Sequence, residues 1–140
     1  MGRPFIEFIQ SQQLPWLEKS YLSDIRGEVL TRELSIDSDT GACSLLIKYP
    51  AKYQQNSKGY LSADEEFFVL DGEICVDGER YGRYNYGHFP KGLHTNSITS
   101  SGAVVLTFFD KRPELISAAA DSPELEAERV IKRIDSLDGE

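Results

Sequence analysis

The chain has 140 residues, 40% of them hydrophobic and 27% charged, enough for one globular domain that buries a core without disulfide or metal staples. Its net charge of -8 at pH 7 repels phosphate backbones and anionic headgroups, so nucleic acid and an anionic membrane surface are excluded as partners. Part of that acidity is a tail, with seven carboxylates against three basic residues over 121–140.

The N-terminal run MGRPFIEFIQ has no long apolar h-region, and no stretch approaches the length of a membrane span, so a cytoplasmic location is expected. Within residues 1–24, Ile6 and Phe8 alternate with polar neighbours, which suits an N-terminal strand. Pro15 then turns the chain and lays Trp16 on the body of the fold or on a subunit interface, rather than on a ligand. Val29, Leu30, Leu34 and Ile36 form a first β-run, Asp37 to Gly41 a loop, and Cys43 to Tyr49 the returning strand. In that strand Cys43, Leu45, Ile47 and Tyr49 share one face. Residues 51–63 are polar and glycine-bearing, a candidate mouth loop or lid carrying Tyr53 and Tyr60.

Phe67 to Leu70 is too short for a helix and reads as a strand. Asp71-Gly72 and Asp77-Gly78 each have the composition of a type I′ turn, which predicts three short antiparallel strands in succession. Tyr84 to Phe89 follows as a fourth, closed by Pro90. Thr99 to Gly102 reads as a turn into Ala103–Phe109, a continuous apolar run expected to be buried on both faces. After Pro113 the period changes. Ser122 as N-cap, Pro123, Glu124 and Glu126, then Ala127, Val130, Ile131, Ile134 and Leu137 predict a helix over 122–137. Cys43 and Cys75 lie in apolar β-runs without CxxC spacing and read as buried free thiols. The expected fold is all-β, a single domain with its barrel over 25–112, an N-terminal arm and a C-terminal α-helix.

The stretch Asp64 to Asn96 holds both histidines, His88 and His94, and its motifs resemble those of the cupin superfamily, whose fold is a double-stranded β-helix or jelly-roll barrel. The first cupin motif has the form G(X)5HXH(X)3-4E(X)6G, and Glu65 to Gly72 matches its second half. The second, G(X)5PXG(X)2H(X)3N, is matched by Pro90-Lys91-Gly92 and by His94 one residue early. Asp39 to Ala42, Glu65 to Glu73 and Ser101 to Ala103 look like the RmlC-like, ChrR-like branch. That branch includes acetylacetone-cleaving dioxygenases and the cupin halves of zinc-binding anti-sigma factors. The family's two HXH histidines, counted back from Glu65, fall on Gly59 and Leu61 or on Lys58 and Tyr60. The usual ligand set is therefore reduced to Glu65 and His94. No cofactor is firmly predicted; a divalent zinc, iron or nickel ion would need His88 as a third ligand.

The resemblance implies a barrel pocket with Glu65 and His94 facing each other as an acid/base pair, lined by Phe67, Val69, Tyr60, Tyr84, Tyr86 and His88. Such a pair can move a proton on a small molecule, as in isomerisation, cyclisation or elimination. Two other readings stand beside this metal-independent enzyme: a metal-dependent dioxygenase or lyase, and a non-catalytic small-molecule sensor. A homodimer is expected, built through the N-terminal strand or the terminal helix.

Overall fold

The structure, a computed structural model, describes residues 2–20, 22–56 and 58–117; the helix expected over 122–137 lies outside them. Among the described residues nine strands form two sheets. The larger runs β1 (Leu30–Ile36), β2 (Cys43–Tyr49), β8 (Ile98–Phe109), β5 (Glu65–Val76), β6 (Glu79–Tyr81) in spatial order. Two short strands attach to it, β3 (Tyr53–Gln55) on β8 and β7 (Tyr86–Phe89) on β5, and β4 (Gly59–Leu61) pairs with β9 (Leu115–Ser117) in a second sheet. Helix among the described residues is confined to a 3-10 turn at Ser11–Gln13 and one turn, α1, at Ser23–Arg26. None of it is long and apolar enough to cross a membrane.

The core follows from alternation. Cys43, Leu45, Ile47 and Tyr49 are all buried and face the interior, as their spacing predicts. Their partners Phe109, Thr107, Val105 and Ala103 on β8 are buried with them. Glu65, Phe67 and Val69 of β5 complete the layer.

Several expectations are corrected. Asp71-Gly72 is not a turn. Strand β5 runs straight through it, with register shifts on either side that mark bulges against β8. Gly72 takes φ 73 there, and a Cβ would lie 2.0 Å from the Gly102 carbonyl oxygen, so two backbones pinch where only glycine fits. For the same reason Thr99 to Gly102 belongs to β8 rather than to a turn. Asp77-Gly78 is the real hairpin turn, with φ 49 and 90. The run Ala103–Phe109 is buried on one face only: Phe108 is exposed while Val105, Thr107 and Phe109 are buried. Residues 51–63 are no open lid but carry β3 and β4. The N-terminal strand does not form; Leu17 makes one bridge to Thr31, and residues 3–10 are exposed and irregular. Trp16 packs on the body as expected, its ring centre 4.2 Å from the Arg32 guanidinium and 5.7 Å from the Lys48 ammonium.

Candidate functional site

Glu65 opens strand β5 with its side chain inward, since Phe67 and Val69 on the same face are buried. A carboxylate in that position needs a charge or donors beside it. They come from Arg26. One guanidinium nitrogen, Nη2, donates to Glu65 Oε1 at 2.6 Å, while Nη1 donates to Oε2 at 3.2 Å and to the Tyr49 hydroxyl at 2.9 Å. Both side chains are almost sealed from solvent, at 6% and 4% exposure.

Helix turn α1 aims Arg26 inward. Leu22 and Ile25 are buried beneath the turn, Gly27 ends it at φ 68, and its last carbonyls are capped from β3. The Tyr53 hydroxyl donates to the Arg26 carbonyl at 2.6 Å, and Gln55 Nε2 donates to the Ile25 carbonyl. Burial alone would lower the Arg26 pKa; the Glu65 carboxylate more than offsets it, and the guanidinium is held above its ordinary value. Burial likewise raises the Tyr49 and Tyr53 hydroxyls, against the pull of Arg26.

The same burial pushes the Cys43 thiol up from 9.0 to about 11. These three groups stay neutral in the folded chain over a range in which the unfolded chain ionises them. Their contribution is complete below the unfolded values and is lost as pH rises through the folded ones. The urea midpoint of the reduced protein is therefore expected to fall steadily between pH 9 and 11, and less steeply in Cys43→Ala. A midpoint that is flat over this range would contradict the buried, neutral assignment.

His94 occupies a different place. The Pro90–Gly92 corner is buttoned to its surroundings: the Lys91 amide donates to Asp64 Oδ1 at 2.7 Å, and that of Gly92 to the Leu61 carbonyl at 3.0 Å. Thr95 and Gly59 exchange backbone hydrogen bonds. This pairing sets the His94 ring flat against Tyr60, with centroids 5.0 Å apart and planes at 12°. His94 then walls a cleft of about 310 Å³ with Val76, Asp77, Glu79, Tyr81, Phe89, Leu93 and Thr95. Behind it, Phe67 meets Tyr81 and Phe89 edge to face at 5.1 and 5.2 Å. A larger cleft of about 620 Å³ lies over α1 and β3, lined by Asp24, Lys52, Gln54 and Asn56 among others. Its buried lining residues are Ile25, Arg26 and Tyr53, and the Arg26 Nη donors are already engaged.

The expected pocket is thus divided. Glu65 lines neither cleft; its oxygens are held by Arg26. His88, Tyr86 and Tyr84 are exposed, because Gly87 and Phe89 take the inward positions opposite Phe67 and Glu65. They cannot line the interior. Phe67 and Val69 are inside as expected, as packed core, and Tyr60 supports His94. Sequence reasoning missed Arg26 altogether and gave Tyr53, Tyr81 and Phe89 no place in the site. Only Tyr49 carried a signal, its place on the inner face of β2.

The residues do not fit a divalent metal. Glu65 is bidentate to a guanidinium, His88 points away, and Gly59, Leu61, Lys58 and Tyr60 stand where imidazoles would be needed. Among the described residues no group of three or more His, Cys, Asp or Glu gathers to hold an ion.

Comparison with known proteins supports the architecture. The acetylacetone dioxygenase from Acinetobacter johnsonii superposes with a TM-score of 0.62 at 12% identity, over 88% of this chain and 83% of that one. The polyketide cyclase RemF from Streptomyces resistomycificus gives 0.64 at 13% identity, over 85% and 90%. A longer protein from Nostoc punctiforme PCC 73102 gives 0.63 at 17% identity over 86% of this chain, which spans only 49% of it. Solved cupins share the fold. No curated protein matches the chain. The family of the domain of unknown function DUF4437 matches residues 7–121, and the chain belongs to that family, with a cupin fold.

Proposed function

We propose that the chain is a metal-independent cupin that binds a small planar organic molecule in the His94 cleft. The observation that carries this reading is the bidentate Arg26–Glu65 pair, which commits the interior carboxylate to a guanidinium and leaves it neither a metal ligand nor a free proton carrier. The acid/base partnership expected of Glu65 and His94 therefore gives way to a division of labour. Glu65 anchors Arg26 and α1; His94 faces the cleft.

The cleft's volume of about 310 Å³ suits a small ligand, at the lower end of the usual range of about 300–1,000 Å³. Tyr81 and Phe89 supply aromatic walls, and the His94 ring a polar edge. An acetylacetone dioxygenase and a polyketide cyclase are among the similar structures, which supports a small organic compound as the ligand class. Screening phenols and other small uncharged aromatic compounds by amide chemical-shift mapping tests the reading. Binders are expected to perturb Tyr81, Phe89 and His94, and His94→Ala is expected to weaken them about tenfold, the loss of one hydrogen bond. Binders that map to the α1 side, or that ignore His94→Ala, would refute it.

A further inference from the structure

The His94 cleft is acidic along one side, and that side comes from the β5–β6 hairpin. Cross-strand pairing sets it. Glu79 stands opposite Val76 and Tyr81 opposite Ile74, while Arg80 between them stands opposite Cys75. Directly paired residues share a face of the sheet, and Val76 and Ile74 are buried. Glu79 and Tyr81 therefore lie on the inner side, where both line the cleft. Arg80 falls on the other face, 3.4 Å from the Glu73 carboxylate, and turns its charge away.

Asp77 supplies the second carboxylate. It opens the hairpin turn at φ 49, a left-handed position that Asp tolerates better than most side chains. There its Oδ1 accepts from the amides of Asn96 and Ser97, both at 2.9 Å, and its own amide donates to the Ser97 carbonyl at 2.9 Å. These bonds tie the hairpin tip to the segment that follows His94 and Thr95, so the turn forms the rim of the same cleft. The Tyr81 and Phe89 rings wall it, with centroids 6.1 Å apart and planes at 75°. No lysine or arginine is among the described residues that line it.

Resting on the reading that this cleft binds a small organic molecule, we infer that its ligand is an aromatic amine held in its ammonium form, the ring against Tyr81 and Phe89 and the cation toward Asp77 and Glu79. Such a molecule suits both kinds of wall at once. An alkylammonium keeps its proton at neutral pH, is attracted by the two carboxylates, and is attracted again by the faces of aromatic rings beside it. An aromatic acid would bring a like charge to the rim. A bare divalent cation needs several ligands converging on one point, and Asp77, Glu79 and His94 do not gather as such a group. Carboxylates spread along a wall beside aromatic rings match an extended organic cation instead.

Three probes that share a phenol ring and differ in end charge test this: tyramine, its alcohol analogue tyrosol and the acid para-hydroxyphenylacetate. Titrated into the full chain at low salt, tyramine and tyrosol are expected to shift the amides of Tyr81, Phe89 and His94, with tyramine about tenfold tighter and the acid weakest. Added salt should narrow the gap. In Asp77→Asn/Glu79→Gln tyramine is expected to fall to the affinity of tyrosol, since the new amide oxygen still accepts from Asn96 and Ser97 while the charge is gone. Glu79→Gln alone, outside the turn, should lose part of the preference. Glu73→Gln, which removes a carboxylate from the outer face, should keep it. Tyramine and tyrosol binding equally in this cleft would overturn the inference and leave the proposed function standing. So would a preference that survives the double variant or vanishes in Glu73→Gln. No shift at Tyr81, Phe89 or His94 with any of the three would overturn both.

Discussion

Arg26→Met and Glu65→Leu are each expected to destabilise the chain by about 3–5 kcal/mol, because each leaves the partner's charge buried and unpaired. For a domain of this length that lowers the melting temperature by about 10 °C or more. The double variant is expected to be more stable than either single one. It removes both charges at once, and apolar side chains of similar size refill the space. The Arg26 arm of the cycle has a second consequence. Arg26 sits on α1, whose carbonyls are capped by Tyr53 and Gln55, so losing the guanidinium also loosens the turn over β3. Limited proteolysis near Gly27 in Arg26→Met, and not in the double variant, would separate charge burial from loss of the turn's anchor. Equal stability of all four proteins in urea would show that the pair contributes no coupling.

Phe67→Ala is expected to cost about 3–5 kcal/mol and Gly87→Ala about 1–3 kcal/mol, and the two should not add. Phe67 is almost fully buried, wedged between Tyr81 and Phe89. Its ring also fills the space in which a side chain at position 87 would stand. A Cβ on Gly87 would lie 2.5 Å from Phe67 Cζ and 3.1 Å from Tyr81 Cε2. The added methyl therefore pushes the ring out of its place, whereas in Phe67→Ala the same methyl partly fills the cavity. The double variant should thus be more stable than the sum of the two single effects implies, by about 1 kcal/mol. Because Tyr81 and Phe89 wall the His94 cleft, Gly87→Ala should also weaken any ligand found there. Strict additivity in unfolding measurements would contradict this packing.

Periodicity was readable wherever one residue decides one face. The β2 alternation and the Asp77-Gly78 turn were legible from residue type alone. Asp71-Gly72 was not, because the same dipeptide serves a type I′ turn and a bulge. What separates them is a backbone 30 residues away at Gly102, which no local window contains. Glu65 was legible as the motif carboxylate, but its partner was not. Arg26 lies on a single helical turn with no amphipathic stripe, and only the fold carries it to β5. The direction of His88 had the opposite problem. Alternation placed it with Tyr84 and Tyr86 on one face, and only the pairing of Gly87 with Phe67 shows that this face is outside.

The cupin pattern and this interior differ at one point with wide consequences. A guanidinium is a permanent cation that needs no loading and changes no oxidation state. Where it neutralises the barrel's carboxylate, the function proposed above leaves the chemistry of the cleft to His94 and the aromatic walls around it.

The coupling energy between Arg26 and Glu65, from the four-protein unfolding cycle run with and without excess zinc, tests that claim most directly. A coupling of about 2 kcal/mol or more, unchanged by zinc and with no zinc-dependent rise in the wild-type midpoint, is the predicted result. A coupling near zero, or wild-type protein stabilised by zinc in a manner that Glu65→Leu abolishes, would contradict it.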